Sequence, residues 1–422
     1  MDYRNNIQFA RSQDKKDALR SYRSKFLLPK HKGKTAAYFV GNSLGLQPNA
    51  TKKLVNEELE DWSKLAVEGH FLGRRPWLYY HKFSKKALAG IVGAKPIEVV
   101  SMNQLTVNLH LMMVSFYRPT KERFKIIMEA DAFPSDQYAI ESQLKYHKLN
   151  PEIALIELKP RPGQHCLQTS DILEAISDHS DQLALVMLSG VQYYTGQFFD
   201  IQAITDAGHR AGALVGFDLA HAAGNVPLKL HDHQVDFAVW CSYKYLNSGP
   251  GGIAGAFIHE KHKRNFNIPR FAGWWGHSEK ERFKMKKGFL PMEGADGWQL
   301  SNYPILAGAA HLASLELFQA AGMAALRRKS IQLTGYLHYL LKEIDPTEKY
   351  FTIITPEDPE SRGCQLSILT KKNGKKIFNG LTAKGVFTDW REPDVIRAAP
   401  VPLYNSFEDV YRLGEALKLL LK

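Results

Sequence analysis

Gly216-Phe-Asp-Leu-Ala-His-Ala-Ala-Gly224 and, shortly after it, Trp240-Cys-Ser-Tyr-Lys-Tyr-Leu246 are the stretches on which the reading of this chain turns. Each belongs to an apolar run of strand length, over 213–217 and 237–241, and each places an unusual polar residue where its run stops: Asp218 in the first, Lys244 just past the second. Further runs of the same kind at 124–128, 153–158 and 183–188 alternate with helical stretches between about residues 85 and 260. That alternation predicts an α/β domain built on a mostly parallel sheet. Ligands of such sheets sit beyond the carboxyl ends of the strands, so chemistry is expected just after each run.

Asp218 by itself is open to three readings: a metal ligand, a ribose binder, or the partner of a protonated ring nitrogen. Lys244 by itself reads as a lysine snorkelling from a strand end. Twenty-six positions apart at successive strand ends, with His221 three residues past the aspartate, they read differently. An imine with an aldehyde requires a lysine that can become neutral, and partial burial among aromatics lowers its pKa. A carboxylate against a pyridine nitrogen keeps that ring protonated and able to draw electrons. The combination points to pyridoxal 5′-phosphate held on Lys244 as a Schiff base, with Asp218 at the ring nitrogen and His221 near the ring or its phenolate oxygen.

Three further segments bear on this site. In Asn103-Gln-Leu-Thr-Val-Asn-Leu109, Thr106 stands at a helix start, where it is either an ordinary N-cap or a phosphate ligand alongside backbone N–H groups. Asp131-Ala-Phe-Pro-Ser-Asp136 supplies Phe133, which either stacks on a flat ring or belongs to the core. The tract Gly249-Pro-Gly-Gly-Ile-Ala-Gly255 is no dinucleotide fingerprint, because Pro250 interrupts it and residues 253–258 read as a strand.

At 422 residues and 44% hydrophobic side chains, the chain can bury a large core and is expected to split into two lobes. Domain limits are placed at 51–305 for a large cofactor-binding α/β domain, with 1–50 and 306–422 forming a small α+β domain. A charged helix is read over 14–26 and an amphipathic one through Leu54, Leu59, Trp62 and Leu65; long helices are read after Pro304 to Gly322 and over 323–344, and a last one over 407–421. The formal charge of +12 is spread along the chain without a helix-turn-helix, a zinc finger or an aromatic stacking pattern, which argues against nucleic acid as a partner. No apolar run has membrane-spanning length and no leader opens the chain, so a cytoplasmic protein is expected. The three scattered cysteines, Cys166, Cys241 and Cys364, suggest neither disulfides nor zinc, and a metal at His231 and His233 lacks a third ligand nearby in sequence.

Taken together, the segments YFVGNSLGLQP, LTVNLHL, DAFPSDQYAIESQ, SGVQYYTGQ, VGFDLAHAAGNV, CSYKYLNSGPGGIAGAFIHEKH, GWWGH, QLSNYPIL and RAAPVPLYNSFEDVY resemble those of the kynureninases over nearly the whole chain. The tract around Lys244 marks that family most strongly. The resemblance implies a fold-type I pyridoxal phosphate enzyme related to class V aminotransferases, with a mostly parallel seven-stranded sheet and a small α+β domain. It implies cofactor contacts from Leu105, Thr106, Phe133, Asp136, Ser189, Asp218, His221, Tyr243 and Lys244, completed by Trp274 and Asn302 from the neighbouring subunit of a homodimer. It further implies that Lys244 and Tyr243 are catalytic, and that Ser43, His70, Ser301, Asn302 and Arg397 contact the substrate, Arg397 by gripping the amino-acid carboxylate. The reaction implied is hydrolysis of the Cβ–Cγ bond of kynurenine or 3-hydroxykynurenine; His70 with Ser301 and Asn302 favours the hydroxylated compound. Tyr303 stands where a proline is commoner in the family and Trp275 where a phenylalanine is frequent. The rival within the same fold group is a cysteine desulfurase using Cys364. A non-catalytic protein of this fold that binds nucleic acid is disfavoured by the intact Lys244, Asp218 and Arg397.

Overall fold

The computed structural model describes residues 2–421. The apolar runs become strands β1 (Val99–Ser101), β2 (Lys125–Glu129), β3 (Leu155–Leu158), β4 (Leu183–Ser189), β5 (Leu214–Asp218), β6 (Phe237–Trp240) and β7 (Gly255–Ile258). They form one seven-stranded sheet in the order β1-β7-β6-β5-β4-β2-β3. From β6 to β3 every neighbouring pair is parallel, whereas β7 runs antiparallel to both β6 and β1. The strands are apolar almost throughout because helices cover both faces. Along β4, Leu185 and Met187 face a cluster with Met112 and Ile140, from the helices Leu105–Phe116 and Pro134–Tyr146. The alternate residues Val186 and Leu188 face one with Ile172, Ile204 and Leu312 from helices on the other side.

A second, antiparallel sheet follows: β8 (Phe351–Ile353), β9 (Leu366–Thr370), β10 (Asp389–Arg391) and β11 (Val395–Ala398), in the order β8-β9-β11-β10. Its core combines the helices Met323–Ile344 and Phe407–Leu420 with Ala10, Ala37 and Phe39 from the start of the chain. Ala37–Tyr38 also pairs in parallel with Val386–Phe387.

Two helices differ from the sequence reading. The first runs over Ile7–Lys16, capped by Asn6, and not over 14–26. Asp14 accepts the backbone N–H groups of Phe407 and Glu408, and Asp17 pairs with Lys329 at 2.7 Å, so both aspartates serve tertiary contacts and the chain leaves the helix there. In the helix Ala50–Leu65, Leu59 and Trp62 point outward while Glu58 and Asp61 are buried. Glu58 takes hydrogen bonds from Arg75, Trp77 and Tyr80, and this polar network overrides the apolar face. Between β7 and the helix Ile305–Ala321 the chain makes only 3-10 turns, in a stretch without helical or strand periodicity.

Candidate active site

Carboxyl ends of the parallel strands converge on a cavity of about 280 Å³. Gln104, Leu105 and Thr106 enter from the turn after β1; Glu129 ends β2, and Phe133 and Asp136 follow it. Ser189 ends β4, Asp218 ends β5 with His221 just beyond, and Cys241, Tyr243 and Lys244 follow β6. Every cofactor contact expected from this part of the chain thus lines one cavity.

The geometry within it is specific. Lys244 Nζ lies 3.1 Å from His221 Nε2 and 5.4 Å from the centre of the Phe133 ring. The other ring nitrogen, Nδ1, is buried and has no partner among the described residues. Burial, reinforced by the charges of Lys244, Arg397 and Arg391, pushes His221 well below the ordinary imidazole range and keeps it neutral. Asp136 and Asp218 are a buried carboxyl pair. Desolvation raises both; Asp136 is driven further up by the neighbouring Asp218 charge, whereas Asp218 is partly relieved by the Ala220 N–H at 2.6 Å and by Lys244. The pair holds one proton more readily than none, and that proton belongs on Asp136.

These features fit a flat, phosphorylated pyridine. The carboxyl pair offers a negative partner to a ring nitrogen, and Asp136 Oδ1 is buried without a partner among the described residues. Phe133 leaves a third of its surface open. The helix Leu105–Phe116 has no side chain capping its N-terminus, so its first N–H groups and the Thr106 hydroxyl are free for a phosphate.

Comparison with known proteins agrees. The chain is 55% identical over 419 residues to the kynureninase of Flavobacterium psychrophilum, covering 99% of both chains. It is 56% identical over 411 residues to that of Myxococcus xanthus, covering 97% of this chain and 96% of the relative. Residues 326–417 match the family described as the kynureninase C-terminal domain. The chain belongs to the kynureninase family. It is therefore an enzyme of the pyridoxal phosphate-dependent hydrolase class, as the motifs around Lys244 predict. The fold is that of fold-type I: the cysteine desulfurase CsdA of Escherichia coli superposes with a TM-score of 0.77 at 16% identity, over 96% of this chain and 98% of that one. The apo cysteine desulfurase of Thermococcus onnurineus NA1 gives 0.74 at 18%, over 92% and 95%.

Membership of that family sharpens the other positions. Cys364, the residue a desulfurase reading needs, is fully buried just before β9, and burial pushes its thiol up to about 12. Arg397, on β11, is also fully enclosed; it donates through Nη1 to the Tyr193 carbonyl at 2.6 Å and through Nε to Asp389 at 2.7 Å. Tyr193 lines the cavity and sets its ring edge against Phe133, which brings the arginine to the border of the site. Ser43 sits in a turn whose Gly45 N–H donates to the Tyr243 carbonyl at 2.8 Å; a Cβ on Gly45 would strike the Lys244 carbonyl at 2.3 Å, so glycine is required there.

Other expected residues lie outside this cavity in the single chain. His70 packs edge-on against Trp77, Ser301 and Asn302 are exposed, and Trp274 is 43% exposed beside Phe283. Of the two departures from the family pattern, Tyr303 is buried and stacked on Tyr80, and Trp275 is buried under the Arg282 guanidinium.

Sequence reasoning missed Glu129, Tyr193 and Asp389. Glu129 accepts both the N–H and the hydroxyl of Ser189; its position at the end of an apolar run was the available signal. It also missed that Glu98, His231 and His259 bring ligand atoms within 4.8 Å of one another. Both ring nitrogens of His259 are already engaged, by the Lys261 N–H and the His231 carbonyl, and Glu98 accepts N–H groups from Lys95 and Glu260. The trio is a hydrogen-bonded clamp joining the turn before β1, the turn before β6 and the end of β7, and His233 takes no part in it.

Proposed function

We propose that this enzyme hydrolyses the Cβ–Cγ bond of L-kynurenine and, preferentially, of 3-hydroxy-L-kynurenine. Water is consumed, and anthranilate or 3-hydroxyanthranilate leaves with L-alanine. The observation that carries the reading is the convergence of Lys244, His221 and the Asp218–Asp136 pair in one cavity, within a chain that is more than half identical to kynureninases over nearly its full length. Pyridoxal phosphate, when bound, supplies an electron-accepting ring conjugated to the substrate nitrogen.

The side chains divide the remaining work. Lys244 holds the cofactor between turnovers and moves the proton at the substrate α-carbon during them. Asp218, backed by the proton of Asp136, presents its charge to the ring nitrogen. Phe133 supports the ring face, while Leu105, Thr106, Ser189, His221 and Tyr243 hold its edge and phosphate. Tyr243, whose hydroxyl burial keeps protonated, supplies a proton to the alanine fragment as the aryl acid departs. Arg397 grips the substrate carboxylate.

The aryl site is completed by a second copy of the chain. Trp274 stands with the exposed apolar side chains Phe283 and Met285, a patch suited to a partner. The homodimer brings Trp274 and Asn302 to the neighbour's cofactor; Ser43 contacts the substrate, and His70, Ser301 and Asn302 hydrogen-bond its ring hydroxyl. Three unpaired cysteines, two of them buried, suit a reducing compartment such as the cytoplasm. The role assigned is tryptophan degradation through kynurenine, feeding NAD biosynthesis.

Steady-state kinetics of the purified enzyme with both compounds test this directly. The expected result is a higher kcat/KM for 3-hydroxykynurenine, fluorescent 3-hydroxyanthranilate as product, and no turnover by Lys244→Ala. A higher kcat/KM for kynurenine would remove the substrate preference, and turnover by the lysine variant would remove the mechanism.

A further inference from the structure

We infer that Asp389 positions Arg397 for the substrate carboxylate; the inference rests on the proposed grip of that carboxylate by Arg397. Strand register is its foundation. On β11 Arg397 lies directly opposite Ser367 of β9 on one side and Asp389 of the edge strand β10 on the other. Side chains opposed in this way share a face of the sheet. Here that face meets the Tyr193–Tyr194 turn of the larger part: Ser367 donates to the Tyr194 carbonyl at 2.5 Å and Arg397 to that of Tyr193 at 2.6 Å.

A guanidinium has five N–H bonds in a rigid plane. Nε and Nη2 of Arg397 both donate to Asp389 Oδ2, and Nη1 donates to the Tyr193 carbonyl. Two N–H bonds are left, one on each terminal nitrogen, for a ligand carboxylate to take. Asp389 occupies the side-on edge. It therefore fixes both the plane of the fork and the edge offered to the ligand.

The charges are arranged to the same end. Arg391 Nε also donates to Asp389 Oδ2, at 3.1 Å, and both arginines lie about 6.0 Å from the Tyr193 ring. One carboxylate thus serves two guanidiniums, leaving one positive charge for an anionic ligand to neutralise. Without Asp389, the enclosed Arg397 would lose its in-plane partner and face Arg391 uncompensated, and it would turn from the cavity. The opposite possibility is that Asp389 occupies the place of the substrate carboxylate and competes with it, in which case removing it would tighten binding.

The test uses the holoenzyme in three variants, Asp389→Asn, Asp389→Glu and Arg397→Gln. It compares KM, kcat and two competitive inhibitors: an unreactive aryl-ketone amino acid and the amine that lacks its α-carboxylate. Asp389→Asn is expected to raise KM roughly 10- to 100-fold, as loss of charge-assisted hydrogen bonds does, with kcat within about threefold of wild type. It should weaken the amino-acid inhibitor by the same factor and leave the amine unchanged. Asp389→Glu, which keeps the charge, should show the same split at smaller size; it carries the test if the asparagine variant does not fold. A KM that stays constant or falls, or equal weakening of both inhibitors, overturns the role of Asp389. If Arg397→Gln fails to distinguish the inhibitors, the grip by Arg397 is what fails; if it distinguishes them and the Asp389 variants do not, only the positioning role is lost.

Discussion

Two buried aspartates sit at opposite ends of the same neighbouring strands. Asp218 closes β5 at the carboxyl edge of the sheet, and Asp236 lies just before β6 at the amino edge. Both are nearly inaccessible, at 6% and 0% exposure, yet their surroundings differ completely. Asp236 accepts the Val215 N–H at 2.8 Å, pairs with Lys261 at 2.7 Å, and lies 2.8 and 2.9 Å from His209 and His262. Burial would raise its carboxyl, but the bonds from His209 and His262 with the charge of Lys261 outweigh it and hold the group far below the carboxylate range. Asp218 accepts a single backbone N–H, from Ala220, and burial prevails. Equal burial with unequal satisfaction separates a structural carboxylate from one kept available for a ligand.

The largest consequence concerns activity. Asp218→Asn should lower kcat/KM by about a thousandfold, the scale of losing a preorganised charge at a reacting centre. It should leave the apoprotein at least as stable as wild type, since it removes a charge that burial penalises. Kinetics and thermal melting of the cofactor-free protein check the two halves. A melting temperature that falls as far as that of an Asp236 variant would break the contrast.

That contrast also explains what was legible beforehand. Asp218 and Lys244 were legible because each follows an apolar run, and a parallel sheet delivers strand ends to one edge whatever the loops do; Thr106 was read from a helix start, and Ser189, although it ends such a run, came from the family resemblance. The same rule would have found Glu129. Asp389 left no such trace: Asp389-Trp-Arg391 is a short polar strand whose meaning comes from its register against Arg397, which local periodicity does not encode. The helix Ala50–Leu65 shows the converse, since its apolar residues suggested a buried face while Glu58 is the residue enclosed, by partners at positions 75, 77 and 80. The turns over 259–304 follow neither helical nor strand periodicity, so Trp274 and Asn302 were reached through family resemblance alone.

Next in size is the structural member of the pair. Asp236→Asn should destabilise the fold by about 3 kcal/mol, because it leaves Lys261 and the two histidines without their shared carboxylate. Its kcat at temperatures below the transition should stay within about threefold of wild type. The sign of the pH dependence follows from the lowered carboxyl: the folded value lies below the unfolded one, so the contribution is complete above about pH 4 and is lost as the pH falls further. Urea unfolding at pH 7 and in acid should show a gap between wild type and variant that narrows toward low pH. A gap that widens in acid would mean that Asp236 is not the group holding this corner together.

The smallest effect is the most discriminating, because it has the opposite sign. Asp136 is raised by burial and then by Asp218, so its folded value lies above its unfolded one, and it takes up a proton on folding. For such a group, stability is unaffected below the ordinary carboxylate range and declines as the pH rises through it toward the folded value. Asparagine cannot ionise, and its amide N–H can donate to Asp218 as the protonated carboxyl does. Asp136→Asn should therefore stabilise the apoprotein near neutral pH by on the order of 1 kcal/mol, with the gain vanishing in acid. Urea midpoints of the cofactor-free protein at pH 4 and pH 8 measure it. Asp236→Asn loses stability where Asp136→Asn gains it, over the same rise in pH, and a common sign would show that burial alone, without the count of hydrogen bonds, governs both ends of the sheet.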